Sequence, residues 1–169
     1  YKIIGANRLD FFFNQKIKRK VGNKILFCSG WHDFDQLFDL TETLLINSNI
    51  KIIFTIHPKI SKNKTKNRIK KIKKYKNFSN ITFTNENSSK FFQQSLLAIT
   101  TYSTAGLEAV IYGIPTISFL PVNTYTINIF DSASENIFEL KKTNEYNKIL
   151  QIYNDGELRS KIYNIQYEY

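Results

Sequence analysis

Short apolar runs alternate with longer stretches of helical period along most of this chain. That alternation restricts the fold more than any other feature, because strands buried on both faces and joined through helices mark a parallel α/β sheet. Residues 24–29 (KILFCS) form an unbroken apolar strand ended by Gly30. A helix follows over 33–47, with Phe34, Leu37, Phe38, Thr41, Leu44 and Leu45 spaced three and four apart, so that one face is apolar. Asp33 is placed to cap it, and Asp35 adds negative charge to its first turn. The second strand, 50–56 (IKIIFTI), stops at His57-Pro58. A basic helix with a thin seam of Ile69, Ile72 and Tyr75 leads to a short strand at 81–84 and a one- or two-turn helix at 88–94. A strand at 96–100, a helix at 104–112 capped by Ser103 and stopped by Gly113, and a strand at 116–120 complete the alternation. Two terminal helices, 144–153 and 157–163, divide at Asp155-Gly156.

At 169 residues the chain suits one globular domain, and its 15% aromatic content provides ample core. Collagen-like, disordered and disulfide-stapled classes are excluded, since Cys28 has no second cysteine to pair with. No apolar run approaches the ~20 residues that span a bilayer, and residues 1–8 lack the order of a secretory signal. With no methionine, residue 1 reads as a cut inside a longer protein. The domain expectation is therefore a connecting segment or the tail of an upstream domain over 1–23, then one α/β domain over 24–169. Phe11, Phe12 and Phe13 in the first part require a partner surface. The polar and aromatic stretch 124–136 has no clear period.

The net charge of +10 is local. Residues 59–76 hold ten Lys or Arg and no acid, which leaves 14 basic residues to balance 14 acidic ones elsewhere. Three readings of this run stay open: a solvated helix face, contact with an anionic membrane surface, where each nearby cation adds ~1 kcal/mol, and nucleic acid. The last is disfavoured, because Tyr75 is the run's one aromatic and no zinc spacing or glycine-rich turn accompanies it.

The run 100–121, TTYSTAGLEAVIYGIPTISFLP, carries the most chemistry. A strand ends, a Ser-Thr pair follows, a helix starts, and a Gly-x-Pro turn leads into another strand. That arrangement aims the first helical N–H groups and the hydroxyls of Ser103 and Thr104 at one point above the carboxyl edge of the sheet, where a phosphate fits. Glu108, one turn on, is placed for ribose hydroxyls. His57 stands at the same edge, with Pro58 setting the direction of the chain as it leaves. Gly30, with Ser29, can bring backbone N–H groups close; Trp31 and His32 complete that turn. Cys28, His32 and His57 show no metal-ligand spacing.

The block Ser103-Thr104, Leu107-Glu108-Ala109, Gly113 and Pro115 resembles the C-terminal, donor-binding domain of GT-B fold glycosyltransferases, over about residues 24–121. The resemblance implies an α/β fold, a Rossmann-like parallel sheet with helices on both faces, forming one lobe of a GT-B fold. Paired with His57-Pro58, the block is similar to the sialyl-, Kdo- and polyol-phosphate transferases of bacterial capsules, which grip CMP- or CDP-linked donors through those two motifs. By that resemblance His57 neutralises or protonates the leaving phosphate and is catalytic, Ser103, Thr104 and Gly30 bind the donor phosphate, and Glu108, Thr84 and Asn85 meet the ribose and base. No cofactor is expected, the nucleotide-sugar being substrate, and no metal. The partners are a saccharide or lipid-linked acceptor and an anionic membrane surface met by residues 59–76, in a cytoplasmic protein peripheral to the inner face of the cell membrane. The general base is expected outside this chain. Two alternatives remain: a UDP-sugar transferase or epimerase of the same fold, and a non-enzymatic basic module.

Overall fold

A computed structural model describes residues 22–101, 103–121 and 139–167. Residues 1–21, Tyr102 and the stretch 124–136 singled out in the sequence lie outside these described residues. The elements are β1 (Lys24–Cys28), α1 (Phe34–Asn47), β2 (Lys51–Thr55), α2 (Lys62–Ile72), β3 (Ile81–Thr84), β4 (Ser95–Thr100), α3 (Thr104–Ile111), β5 (Thr116–Phe119), β6 (Glu139–Leu140), α4 (Tyr146–Asn154) and α5 (Gly156–Tyr167). The strands form one six-stranded sheet in the order β3-β2-β1-β4-β5-β6. Every pairing is parallel.

Strands β1, β2 and β4 alternate their side chains between two cores, as the pleat requires. From β1, Ile25 and Phe27 join a large core with α1, α2, α4 and α5. Leu26 and Cys28 face a smaller core with Phe92, Ala105, Ala109 and Ile114 beneath α3. Helices therefore cover both faces, and the apolar runs in the sequence reflect burial on two sides. The large core is rich in rings: Phe27, Phe34, Phe38 and Phe83 surround Phe54 with centroids 5.6–5.9 Å apart. Removing the Phe54 side chain would cost about 3–5 kcal/mol.

Several local expectations meet a different outcome. Asp33 precedes α1, yet its side chain makes no capping hydrogen bond. The 88–94 segment is a 3₁₀ helix, started by Asn87, whose side chain accepts from the Ser89 N–H. Helix α2 ends at Ile72, so Tyr75 lies beyond it and reaches Glu42 on α1 instead. The two-residue strand β6 was not legible in the sequence, being too short to show a period. Gly113 stops α3 with a φ of 96°, which favours glycine. Among the described residues no helix is long and apolar enough to cross a membrane.

The chain runs β1, β2, β3 outward in one direction and then returns to place β4 on the other side of β1. The crevice above the carboxyl ends of β1 and β4 is thus a topological switch point, the ordinary ligand position in an open parallel sheet.

Candidate functional site

Three strand ends build the site. Ser29, just past β1, donates its Oγ–H to the Thr55 carbonyl at 2.7 Å and accepts from the His57 N–H at 3.2 Å. The turn after β2 is thereby tied to the end of β1 through a single buried hydroxyl. The Nδ1 of His57 accepts from the Lys59 N–H at 3.2 Å, which places the ring proton on Nε2 and makes that nitrogen a donor. His57 is therefore held at both its backbone and its ring.

Thr55 braces the same wall. Its Oγ1 donates to the Phe27 carbonyl at 3.0 Å and lies 2.9 Å from the Ser88 Oγ. With the threonine proton already donated, Ser88 is the donor in their contact. Burial pushes the pKa of the Cys28 thiol up to about 12, helped by the charge of Glu108 and opposed by a hydrogen bond with Ser88. Cys28 is buried and poorly reactive.

The wall across the crevice begins α3 and is self-contained. Ser103 Oγ accepts from the Ala105 N–H at 3.3 Å, and the Ser103 carbonyl accepts from the Gly106 N–H at 2.9 Å. The cap consumes two of the helical donors that the sequence reading had directed at a phosphate. What the wall presents is the Ser103 proton and the exposed Thr104 hydroxyl.

A cleft of about 350 Å³ joins these walls, lined by Ser29, Thr55, His57, Asn85, Ser88, Ser103 and Thr104 among others. His57 and the Ser103-Thr104 pair, 46 positions apart in sequence, thus open onto one space at one rim of the sheet. A neighbouring cavity of about 500 Å³ shares His57, Pro58 and Asn85 with the cleft and takes Thr84 into its lining.

The other candidates fall elsewhere. Gly30 is buried and lines neither cavity, although Ser29 beside it does. Glu108 is fully buried, close enough to Cys28 for its charge to act on the thiol, and is not part of the cleft lining. Trp31 is 46% exposed, its ring against His32 with centroids 3.6 Å apart and the Lys59 Nζ 4.8 Å from its centroid. Sequence reasoning missed the side chains of Ser29, Thr55 and Ser88. The one signal for Ser29 and Thr55 is a hydroxyl residue at the end of an apolar strand, where a lone polar group must find a buried partner.

Asp33 is the unexpected charge at this rim. It is 1% exposed, and neither carboxylate oxygen has a hydrogen-bond partner among the described residues. Burial raises its pKa to about 6, against its own backbone N–H and the charge of His32. No group of three or more metal-ligating side chains occurs among the described residues.

No protein-family model and no curated protein matches the sequence significantly. Solved structures do match. MurG of Acinetobacter baumannii superposes on 95% of this chain with a TM-score of 0.58 at 13% identity. A putative UDP-N-acetylglucosamine 2-epimerase from Listeria monocytogenes superposes on 98%, with a TM-score of 0.56 at 13% identity. UDP-GlcNAc 2-epimerase from Methanocaldococcus jannaschii superposes on 89%, with a TM-score of 0.50 at 18% identity. The fold is an α/β, Rossmann-like lobe of the GT-B kind. The chain spans 48%, 42% and 43% of those three structures, under half of each.

Proposed function

We propose that this chain is the donor-nucleotide-binding half of a glycosyltransferase of surface polysaccharide synthesis, taking a CMP- or CDP-linked sugar. The observation that carries the reading is the single cleft lined by both His57 and the Ser103-Thr104 start of α3. One face offers an imidazole donor and the other two hydroxyls, a set suited to a phosphate that gains charge as its sugar leaves.

In this reading the donor phosphate lies between them. The acceptor hydroxyl attacks the anomeric carbon, and the bond from that carbon to the phosphate oxygen breaks with its electron pair left on the phosphate. His57 donates a hydrogen bond from its Nε2–H to that oxygen, which keeps its negative charge on the departing nucleotide, while the acceptor's proton goes to a base outside this chain. Asn85 and Thr84 stand where the base would lie. A ribose contact to Glu108 would require the first turn of α3 to move, because that carboxylate is buried. The acceptor is a saccharide, or one linked to lipid, which would hold a cytoplasmic enzyme at the inner face of the cell membrane.

Calorimetric titration of the 169-residue chain with CMP, CDP and UDP tests this. CMP or CDP should bind more tightly than UDP, and His57→Ala should weaken binding about 10–100-fold, the loss of a hydrogen bond to a charged group. Absence of binding by all three at millimolar concentration removes the reading. A second reading, a UDP-sugar transferase or epimerase, is favoured by the likeness to the two UDP-N-acetylglucosamine 2-epimerases. Clear preference for UDP would select it.

A further inference from the structure

Helix α2 divides its cations between two faces. Lys64 pairs with Asp35 at 2.7 Å, and Arg68 bonds the carboxylate of Asp39 and lies over the Phe38 ring. Both acids belong to α1, so this face serves the fold. Lys62, Lys66, Lys70 and Lys73 recur at intervals of four, four and three and share the other face. All four are exposed, and none has an ion pair among the described residues.

The stripe extends towards the rim of the cleft. Lys62 and Lys66 border the cavity of about 500 Å³ whose remaining walls include the apolar Ile56, Pro58, Ile69 and Phe83. Three residues before the helix, Lys59 holds its ammonium over the exposed Trp31 ring. A row of lysines on long apolar stems, beside an exposed indole, has the composition of a bilayer interface contact: ammonium groups reach lipid phosphates while the ring enters the headgroup layer. Nucleic acid fits less well, since the stripe contains no arginine and no row of aromatic faces for bases.

We propose that the outward lysine stripe of α2, with Trp31 at its end, is a docking surface for an anionic lipid bilayer. Docking there sets the mouth of the His57 cleft at the level of the membrane. Only half of the basic segment serves this purpose, which separates the surface from the structural cations beside it.

The test is co-flotation of the full chain with vesicles of phosphatidylcholine alone or mixed with phosphatidylglycerol, alongside single-stranded RNA as competitor. Binding should require phosphatidylglycerol and be lost at high salt. Replacing all four stripe lysines by Gln should weaken it about a thousandfold, from about 1 kcal/mol for each. Its melting temperature should stay at the wild-type value. Trp31→Ala should weaken binding several-fold. Lys64→Gln should lower stability and leave vesicle binding within twofold. Equal binding to neutral vesicles, wild-type binding by the stripe variant, an equal loss in Lys64→Gln, or RNA holding the chain off the vesicles would each overturn the proposal. Nucleotide titration of the same wild-type sample reports on the cleft separately, so failure of one reading does not disguise failure of the other.

Discussion

The two walls of the cleft are held in opposite ways. The α3 wall is local: Ser103 caps the helix through residues two and three positions away. The His57 wall is assembled from a distance, with Ser29 bonded to a residue 28 positions on and Thr55 to one 33 positions on. A locally held wall is robust and readable. A wall built across strands is only as accurate as the register between them, and each of its buried hydroxyls depends on the others.

The largest difference to test is a pH dependence on the β1 side. Folding lifts the Asp33 pKa from 3.8 to about 6, so the folded state binds more protons within that window and stability falls as pH rises through it. Asp33→Asn should therefore stabilise the protein relative to wild type by up to about 3 kcal/mol above pH ~6, with the difference shrinking below pH ~4. Thermal unfolding from acid to neutral pH checks it; a difference that does not change with pH would show that the carboxylate meets no such penalty.

Next comes the long-range bracing. Thr55→Val keeps the shape but removes the acceptor of Ser88 and the donor to Phe27, and should cost about 2 kcal/mol in denaturant unfolding. Ser29→Ala should weaken CMP binding about tenfold. In a His57→Ala background that loss should nearly vanish, because no imidazole remains to be misplaced. A full loss in both backgrounds would mean that Ser29 acts on the ligand and not through His57.

On the α3 wall the expected effects are smallest. Ser103→Ala should lower stability by about 1 kcal/mol and Ser103→Gly by only a few tenths, as for other helix caps. Both should weaken CMP binding alike, since both lack the hydroxyl. Circular dichroism melts and calorimetry on the two variants separate the cap from the contact.

The parallel sheet, helices on both faces, the Gly113 stop and the convergence of His57 with Ser103 and Thr104 were legible in the sequence. Apolar periodicity, capping residues and the rule that ligands sit at the carboxyl ends of parallel strands are all local or topological signals. The burial of Glu108 was not legible, because the face a helix turns to the sheet depends on how it docks. Nor was the bare carboxylate of Asp33: its spacing suits a cap, and packing alone decides that it makes none.

The basic segment shows the division plainly. Its sequence determined a helix and its charge, since both follow from residue type and spacing. Which cations would meet Asp35 and Asp39 and which would face outward was decided only when α1 and α2 packed together, because a salt bridge needs two groups within ~4 Å and chain order carries no such distance. The same reason separates a strand-end hydroxyl in a sequence from the Ser29 and Thr55 that frame the cleft.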